Sequence, residues 1–240
     1  MPCFNEEKRL PIFCEKWKAF VLTERSRLES LISSFDLVFV DDGSMDGTSE
    51  ILQKLQKTLL EMNGSGAQRV RLERLNVNQG KGAAVRRGLE VAAGDLILIT
   101  DADLSAPLKE FFKLVSADVD LAFGSRAVLG SFIVKKQSGI RPQLGRLFNS
   151  FMRLVTGLPY RDTQCGFKLI RRTLAHTLLP KLQENRFAFD VEMILLASKA
   201  HATIAEVPIE WAHDESSRVS VLKDGIQMAL KTLEIAIRSK

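Results

Sequence analysis

Two carboxylates stand one residue apart after an apolar run in the stretch LILITDADLSAP. The run Leu96–Ile99 leads through Thr100 to Asp101 and Asp103. A carboxylate near a low-dielectric interior costs several kcal/mol unless a cation, an arginine or water compensates it. Mg²⁺ typically takes one or two carboxylates together with the phosphates of a substrate. The pair therefore predicts a divalent cation beside a nucleoside diphosphate, where it would neutralise charge on the leaving group.

A second polar motif, VDDGSMDGT, follows another apolar run. Asp42 would stand at a strand end, where it could accept a hydrogen bond from a base N–H, and Gly43 and Gly47 would shape a tight turn. The glycine spacing matches neither G-x-G-x-x-G nor the P-loop, so a dinucleotide fingerprint and a P-loop NTPase site are excluded. A third motif, NQGKG, adds glycines and a lysine.

Alternating apolar runs predict the elements that position these motifs. The predicted strands are Leu37–Val40, Val70–Leu75, Leu96–Thr100 and Leu121–Gly124, and the predicted helices are Thr48–Leu60, Gly82–Ala93 and one after Ser105. Such a βαβα order indicates a mostly parallel sheet with helices on both faces, whose ligand site lies at the carboxyl ends of the strands. Each motif alone could be an ordinary turn, but three at one rim favour a site.

The second half is less regular. The expected elements are a loop over Ala127–Ile140, an amphipathic helix from Arg141, a helix in RFAFDVEMILLASKA, a strand in TIAEVPIEW and a terminal helix over Val221–Ile237. The helix from Arg141 could pack its apolar face on the core or lie on a membrane surface. Asp190 and Glu192 in RFAFDVE could orient the site or act as a cap and a solvated face.

Composition excludes several classes of protein. The 240 residues are 45% hydrophobic and 26% charged, which is typical of a globular chain. The net charge of +5 comes without a basic tail, so we expect no nucleic-acid partner. Three cysteines without C-x-x-C spacing indicate free thiols. The sequence contains no stretch of about 18 apolar residues, so we predict no membrane-spanning helix in it.

The chain resembles the family-two glycosyltransferases of GT-A fold in an ordered set of motifs over nearly its whole length: PCFNEE, VDDGSMDGT, NQGKGAAVRRGL, TDADLSAP, GSRA, DTQCGFKL and RFAFDVE. Together they are similar to the branch that transfers glucose from UDP-glucose to dolichyl phosphate. The last two motifs favour this branch over the sibling that uses GDP-mannose. The resemblance implies one GT-A domain over residues 1–240, with a Rossmann-like sheet, a nucleotide-binding half (1–125) and an acceptor-binding half (126–240).

The resemblance also implies roles for residues. The nucleotide-binding set is Pro2, Phe4, Glu6, Val40, Asp42, Asp101 and Ala102. The cofactor is Mg²⁺ or Mn²⁺ at Asp101 and Asp103, and the catalytic set is Asp103, Arg126 and Asp162. The residues expected to bind the acceptor phosphate are Arg141, Arg146 and Arg218.

The implied reaction is an inverting transfer at the cytosolic face of the endoplasmic reticulum membrane. A phosphate monoester is largely dianionic at neutral pH, because its second pKa is about 6, and it needs little help from a base. Asp162 could therefore act as a base or orient the acceptor. The alternatives are another polyprenyl-phosphate sugar transferase and an inactive form.

Relatives carry an apolar strand, usually after a membrane helix, immediately before the PCFNEE motif, whereas here Met1 precedes Pro2. We therefore expect the first strand and the anchor helix to be missing from this chain. Its neighbours in the sheet would then lack backbone partners. The expectation is a truncated form with low stability and little activity.

Overall fold

The computed structural model describes residues 1–61, 67–135, 141–212 and 223–238. Its helices are α1 (Leu10–Thr23), α2 (Arg25–Leu31), α3 (Thr48–Glu61), α4 (Lys81–Val91), α5 (Phe111–Ser116), α6 (Arg141–Thr156), α7 (Arg172–Leu178), α8 (Phe189–Lys199) and α9 (Lys223–Arg238), with a 3₁₀ turn at Leu108–Glu110. Its strands are β1 (Pro2–Cys3), β2 (Phe35–Asp41), β3 (Ala67–Arg74), β4 (Leu96–Ile99), β5 (Leu121–Ser125), β6 (Phe132–Lys135), β7 (Lys168–Arg171), β8 (Ile204–Pro208) and β9 (Glu210–Ala212).

The first sheet has the strand order β1-β2-β3 and is entirely parallel. Where no first strand was expected, β1 is a strand of two residues, with Pro2 opposite Val40 and Cys3 opposite Asp41. The Met1 ammonium continues this edge by donating to the Val38 carbonyl at 2.7 Å. The predicted strand–helix alternation is confirmed here, with bounds that differ by a few residues.

The second sheet has the order β4-β7-β5-β8 and mixes directions. Its β7 is antiparallel to both neighbours, while β5 and β8 are parallel. Strands from both halves of the chain therefore share this sheet. The helix expected after Ser105 is the short α5, preceded by the 3₁₀ turn.

Two predictions for the second half are wrong. The expected loop over Ala127–Ile140 contains β6, which pairs in parallel with β9; residues 136–140 of that loop lie outside the described residues. The strand expected in TIAEVPIEW is divided at Ile209 between β8 and β9, which belong to different sheets. Ile209 is fully buried, and its side chain packs on Gly124 of β5, so the chain bends there to fill the core.

Helices cover both faces of the sheets because each buries an apolar stripe. On one face α1 places Phe13 and Trp17 against the rings of Phe39 and Phe35. On the other, α8 is buried along most of its length, as expected for a helix that is apolar all round. Helices α6 and α9 pack against each other. No described helix is long and apolar enough to cross a bilayer.

An apolar cleft separates the two main sheets. It has a volume of about 400 Å³ and lies between β2 and β4, with α4 on one side and α1 on the other. Among the described strands β4 pairs only with β7, and β2 is paired with β1 only at its carboxyl end. Trp17 lines the cleft, is 8% exposed and has no partner for its Nε1 within the described part of the chain. Both facing strands therefore keep an unpaired edge.

Candidate active site

The loops after β2 and β3 are joined by the carboxylate of Asp42. Its oxygens accept from Asn78 Nδ2, Gln79 N and Gly80 N, each at 2.8 Å. Burial raises the pKa of Asp42, although the two backbone N–H groups oppose this effect. The side chain is only 2% exposed. Asp42 therefore holds the NQG turn at the start of α4 here, and its predicted contact with a base stays a prediction.

The PCFNEE segment is tied to the turn that follows β2. Asn5 N donates to Ser44 Oγ at 2.9 Å, and Glu6 N donates to Thr48 Oγ1 at 2.6 Å. Asn5 itself has a left-handed backbone (φ 55°), which turns the segment back over the end of the sheet. The structure therefore brings Phe4 and Glu6, two of the predicted nucleoside-binding residues, next to the Asp42 loop.

Asp101 lies at the end of β4 and forms an ion pair with Lys81, the first residue of α4. Lys81 Nζ is 2.6 Å from Asp101 Oδ1. The other face of the carboxylate lies against Gly166, where an added Cβ would be 2.8 Å from Asp101 Cγ and 3.0 Å from Lys81 Nζ. A side chain at that position would have to displace the Asp101 carboxylate or the Lys81 ammonium.

Asp103 is the second carboxylate of the pair. Burial and then the negative charge of Asp101 raise the pKa of Asp103, against the opposing effect of a 2.9 Å hydrogen bond from Ser105 N to its Oδ1. The following residue, Leu104, is buried in a left-handed conformation (φ 49°). Two repelling carboxylates in a strained turn are suited to a cation that lies between them.

The donor set fits a hard divalent cation. Among the described residues no group of three or more His, Cys, Asp or Glu side chains could form a complete metal cage. Mg²⁺ and Mn²⁺ accept fewer protein ligands when a substrate supplies phosphate oxygens. Asp101 and Asp103 could therefore hold the cation together with a diphosphate, and their role as metal ligands stays a prediction.

Arg126 and Asp162 form a bidentate ion pair. Asp162 Oδ2 accepts from Arg126 Nε at 2.7 Å and from the Arg126 backbone N at 2.9 Å, while Oδ1 accepts from Nη2 at 2.8 Å. Burial would raise the pKa of Asp162, but the Arg126 charge and hydrogen bonds hold it below its ordinary value. Asp162 is therefore a poor proton acceptor and positions Arg126.

Two further contacts fix this pair. Glu206 of β8 accepts from the backbone N–H groups of Arg161 and Asp162, at 2.7 Å for Asp162. The Arg126 guanidinium carbon lies 4.8 Å from the centre of the Trp211 ring, and 34% of its side chain is exposed. The free Nη1 edge of Arg126, which has no described hydrogen bond, is available to an anion.

Lys168 and Asp190 form a buried ion pair behind the site. Lys168 is 0% and Asp190 is 3% exposed, and Lys168 Nζ also donates to the Cys165 carbonyl. Asp190 thus supports the DTQCGFKL loop from within. Glu192 is buried and accepts from Gln183 N and Glu184 N, so the expected solvated face is wrong for this residue.

The remaining predicted residues fall into two groups. Val40 and Ala102 are buried, and the Val40 side chain faces Gly88 of α4, so the predicted contact of Val40 with uracil stays a prediction. Arg141 and Arg146 lie on α6, but their side chains and the whole of Arg218 lie outside the described residues. Their roles stay predictions.

The sequence analysis placed the lysine of NQGKG, Lys81, at the rim without a role, and it missed Gly166, Lys168 and Glu206. A signal existed for Gly166 and Lys168, because they lie in the DTQCGFKL motif. Glu206 had none, since it stands in an ordinary strand. The assembled site has two carboxylates, an ammonium and a guanidinium at one rim, a set that can bind a nucleoside diphosphate and a second phosphate.

Comparisons with known proteins agree with this geometry. The chain matches the model of glycosyl transferase family 2 over residues 1–179. Its fold matches glucosyl-3-phosphoglycerate synthase from Mycobacterium tuberculosis, crystallised with Mn²⁺, UDP and glucosyl-3-phosphoglycerate, with a TM-score of 0.63 at 18% identity. That match covers 99% of this chain and 77% of the synthase, and it confirms the predicted GT-A fold.

Dolichyl-phosphate beta-glucosyltransferases are similar over almost all of the chain. The enzyme from Dictyostelium discoideum is 35% identical over 99% of this chain and 73% of its own length. The human enzyme is 32% identical over 99% of this chain and 74% of its own length. The chain therefore belongs to glycosyl transferase family 2 and, within it, to the dolichyl-phosphate beta-glucosyltransferases.

Proposed function

We propose that the protein transfers glucose from UDP-glucose to dolichyl phosphate with inversion, giving dolichyl β-glucosyl phosphate for lipid-linked oligosaccharide assembly. The observation that carries this proposal is the strand order β4-β7-β5: β4 and β5 are both antiparallel to β7, so Asp101, Asp103 and Arg126 follow the carboxyl ends of β4 and β5 at one rim. The chain is also similar throughout to enzymes with this name. The two carboxylates suit the donor diphosphate with its cation, and the guanidinium suits the acceptor phosphate.

The donor side depends on charge balance. Mg²⁺ or Mn²⁺, when held by Asp101 and Asp103, would neutralise charge that develops on the UDP leaving group. The segment from Phe4 to Glu6, fixed on the turn after β2, would border the nucleoside. Asp42 keeps the start of α4 in place beneath it.

The acceptor side needs orientation more than proton removal. A dolichyl phosphate dianion is already nucleophilic near neutral pH. Arg126 is fixed by Asp162 along its Nε–Nη2 edge and by the Trp211 ring below, so its Nη1 N–H groups would hold the acceptor phosphate in line with the anomeric carbon. Direct attack from the far side of an α-linked donor gives a β-linked product.

Exposed apolar side chains support an acceptor that is delivered from a membrane surface. Helix α9 exposes Ile226, Leu230, Leu233 and Ile237 at helical spacing, and α6, which packs against α9, exposes Leu154. Such a stripe on a surface helix favours an interface with lipid. We place the reaction at the cytosolic face of the endoplasmic reticulum membrane.

The test is transfer of labelled glucose from UDP-glucose to dolichyl phosphate in detergent or liposomes, with Mg²⁺ or Mn²⁺. GDP-mannose is the matched donor control. Labelled lipid from UDP-glucose alone supports the proposal, and labelled lipid from GDP-mannose alone would replace it by a mannosyl transfer. If neither donor gives a labelled lipid, both the glucosyl and the mannosyl transfer are contradicted.

A further inference from the structure

Lys81 lies where a positive charge is electrostatically unfavourable, and its contact with Asp101 compensates for this. It is the first residue of α4, where the helix dipole disfavours a positive charge, and this helix has no acidic residue in its first turn. Its ammonium is instead held by Asp101, 2.6 Å away, and only 20% of its side chain is exposed. The attraction of Asp101 thus offsets the repulsion between the Lys81 ammonium and the positive end of the α4 dipole.

Lys81 has a second described contact besides Asp101. Its Nζ lies 5.9 Å from the centre of the Phe189 ring, and the face of an aromatic ring attracts a cation at such a distance. The ammonium therefore keeps one stabilising neighbour when it is no longer paired with Asp101.

A cation that binds Asp101 must compete with Lys81. One side of the carboxylate is covered by the backbone at Gly166, since an added Cβ there would lie 2.8 Å from Asp101 Cγ. The Oδ1 atom on the other side is taken by Lys81. The Asp101 side chain is 29% exposed, so a metal ion can reach the carboxylate but would have to share it with Lys81 or displace Lys81 from it.

We propose that Lys81 is a tethered counterion, which neutralises Asp101 when the site holds no nucleotide and moves to the donor diphosphate when a divalent cation takes Asp101. The ammonium then loses one anion and gains another, so cation and diphosphate bind cooperatively. A cation without a diphosphate would leave Lys81 beside it with no new partner. This proposal rests on the donor site of the proposed function.

The test is Mn²⁺ binding to the full chain, measured by electron paramagnetic resonance with and without UDP, for the unmodified protein and Lys81→Met. Without UDP, the variant should bind Mn²⁺ about tenfold more tightly, because no ammonium competes for Asp101. With UDP, it should bind the Mn²⁺–UDP pair about tenfold more weakly, because a charged hydrogen bond to the diphosphate is lost. The two effects have opposite signs.

Lys113→Met is the matched control, because Lys113 is paired with Glu110 on α5 and the preceding turn; both affinities should stay unchanged. Lys81→Gln is the second neutral variant if Lys81→Met does not fold, as judged by thermal melting. Unchanged or weaker Mn²⁺ binding without UDP in a folded neutral variant would overturn the proposal.

This experiment uses neither acceptor lipid nor sugar transfer. A failure of the glucosyl-transfer assay would therefore contradict the proposed function and leave the opposite signs for Mn²⁺ and Mn²⁺–UDP intact. Conversely, if glucosyl transfer is normal but Lys81→Met changes the affinities for Mn²⁺ and for Mn²⁺–UDP in the same direction, only the counterion proposal is overturned.

Discussion

The charged rim lies at the N-terminal end of α4, the apolar cleft lies along the helix from Ala84 to Leu89, and the two regions are stabilised in different ways. At the rim, Asp42, Asp101 and Asp162 all have hydrogen-bond or ion-pair partners at defined distances. In the cleft, β2 and β4 face each other across about 400 Å³ lined by apolar side chains, without a described strand between them.

The rim and the cleft differ in how far they depend on directional contacts. The rim must hold charges at fixed separations, so its loops are joined by side chains from distant motifs, such as Asp42 to Gly80. The cleft depends on burial, which has no preferred direction. Changes at the rim should therefore alter chemistry, and changes at the cleft should alter stability.

The largest effect is expected for Asp103→Ala. Loss of a carboxylate that faces the cation and diphosphate should lower glucosyl transfer on the order of 10²-fold or more. The assay is initial rate with UDP-glucose and dolichyl phosphate. Asp118→Ala is the control, since this carboxylate is 85% exposed and pairs only with Arg171 among the described residues.

The same variant separates chemistry from stability. Because the folded-state pKa of Asp103 is raised, its ionisation destabilises the fold as pH rises above the ordinary carboxyl range. Asp103→Ala should therefore melt at the same or a higher temperature at pH 7, with the gain vanishing below about pH 4. A clear fall in melting temperature would show that Asp103 supports the fold.

Asp162→Ala should affect both properties. It leaves the Arg126 guanidinium unpaired, at a cost of roughly 3 kcal/mol in the free energy of unfolding, the low end for a buried pair because Arg126 is about a third exposed. The pKa of Asp162 is lowered, so this stability is present above about pH 4 and is lost as pH falls further. Denaturant unfolding at pH 7 and pH 3 measures the difference, which should be smaller at pH 3.

An apolar strand supplied to the cleft should raise stability by about 2 kcal/mol, the surplus of side-chain burial over chain ordering. Since Pro2 pairs with Val40, Met1 lies opposite Phe39, and four added residues would lie opposite Phe35–Val38. The measurement is thermal melting of the chain extended by about five apolar residues. A Gly-Ser extension of equal length should give no gain, and equal melting of both would show that the cleft between β2 and β4 does not accept an apolar strand.

Two glycines of α4 give the finest comparison. Gly88→Ala adds a methyl group on the cleft side at 3.6 Å from Val40 Cγ2 and should stabilise by about 0.7 kcal/mol through helix propensity. Gly82→Ala on the rim side would place a Cβ 2.7 Å from Phe189 Cβ and should cost about 1.5 kcal/mol. Chemical denaturation measures the change in the free energy of unfolding for each variant. Changes of the same sign would contradict the contrast between the rim and the cleft.

The sequence predicted most elements between residues 35 and 125 for a physical reason, whereas α1 (Leu10–Thr23) and α2 (Arg25–Leu31) were not predicted. Strands such as Leu96–Ile99 are short continuous apolar runs that end in Asp and Gly, so their type and their carboxyl ends are both visible. The motifs at those ends also carried the resemblance that gave the fold and the family.

The rest depended on contacts between distant residues. The segment that contains β6 was predicted as a loop because it also contains glycines, a serine and two adjacent lysines, whereas the strand forms by pairing with the distant β9. Phe132, Ile133 and Val134 are exposed, so burial gave no signal either. The engagement of Asp162 by Arg126, across 36 positions in sequence, cannot be inferred from either motif alone. Ile209 bends an apparently continuous strand because it fills space beside Gly124, which no local pattern encodes.

The chain has two tryptophans, and the fold places one in each of the two regions. Trp17 lines the cleft, and Trp211 lies beneath the Arg126 guanidinium. Indole emission responds to the polarity and charge around the ring, so the fluorescence spectrum of this protein is a sum of two local signals. Light emitted by Trp211 reports anions that arrive at Arg126, while light emitted by Trp17 reports whatever enters between β2 and β4.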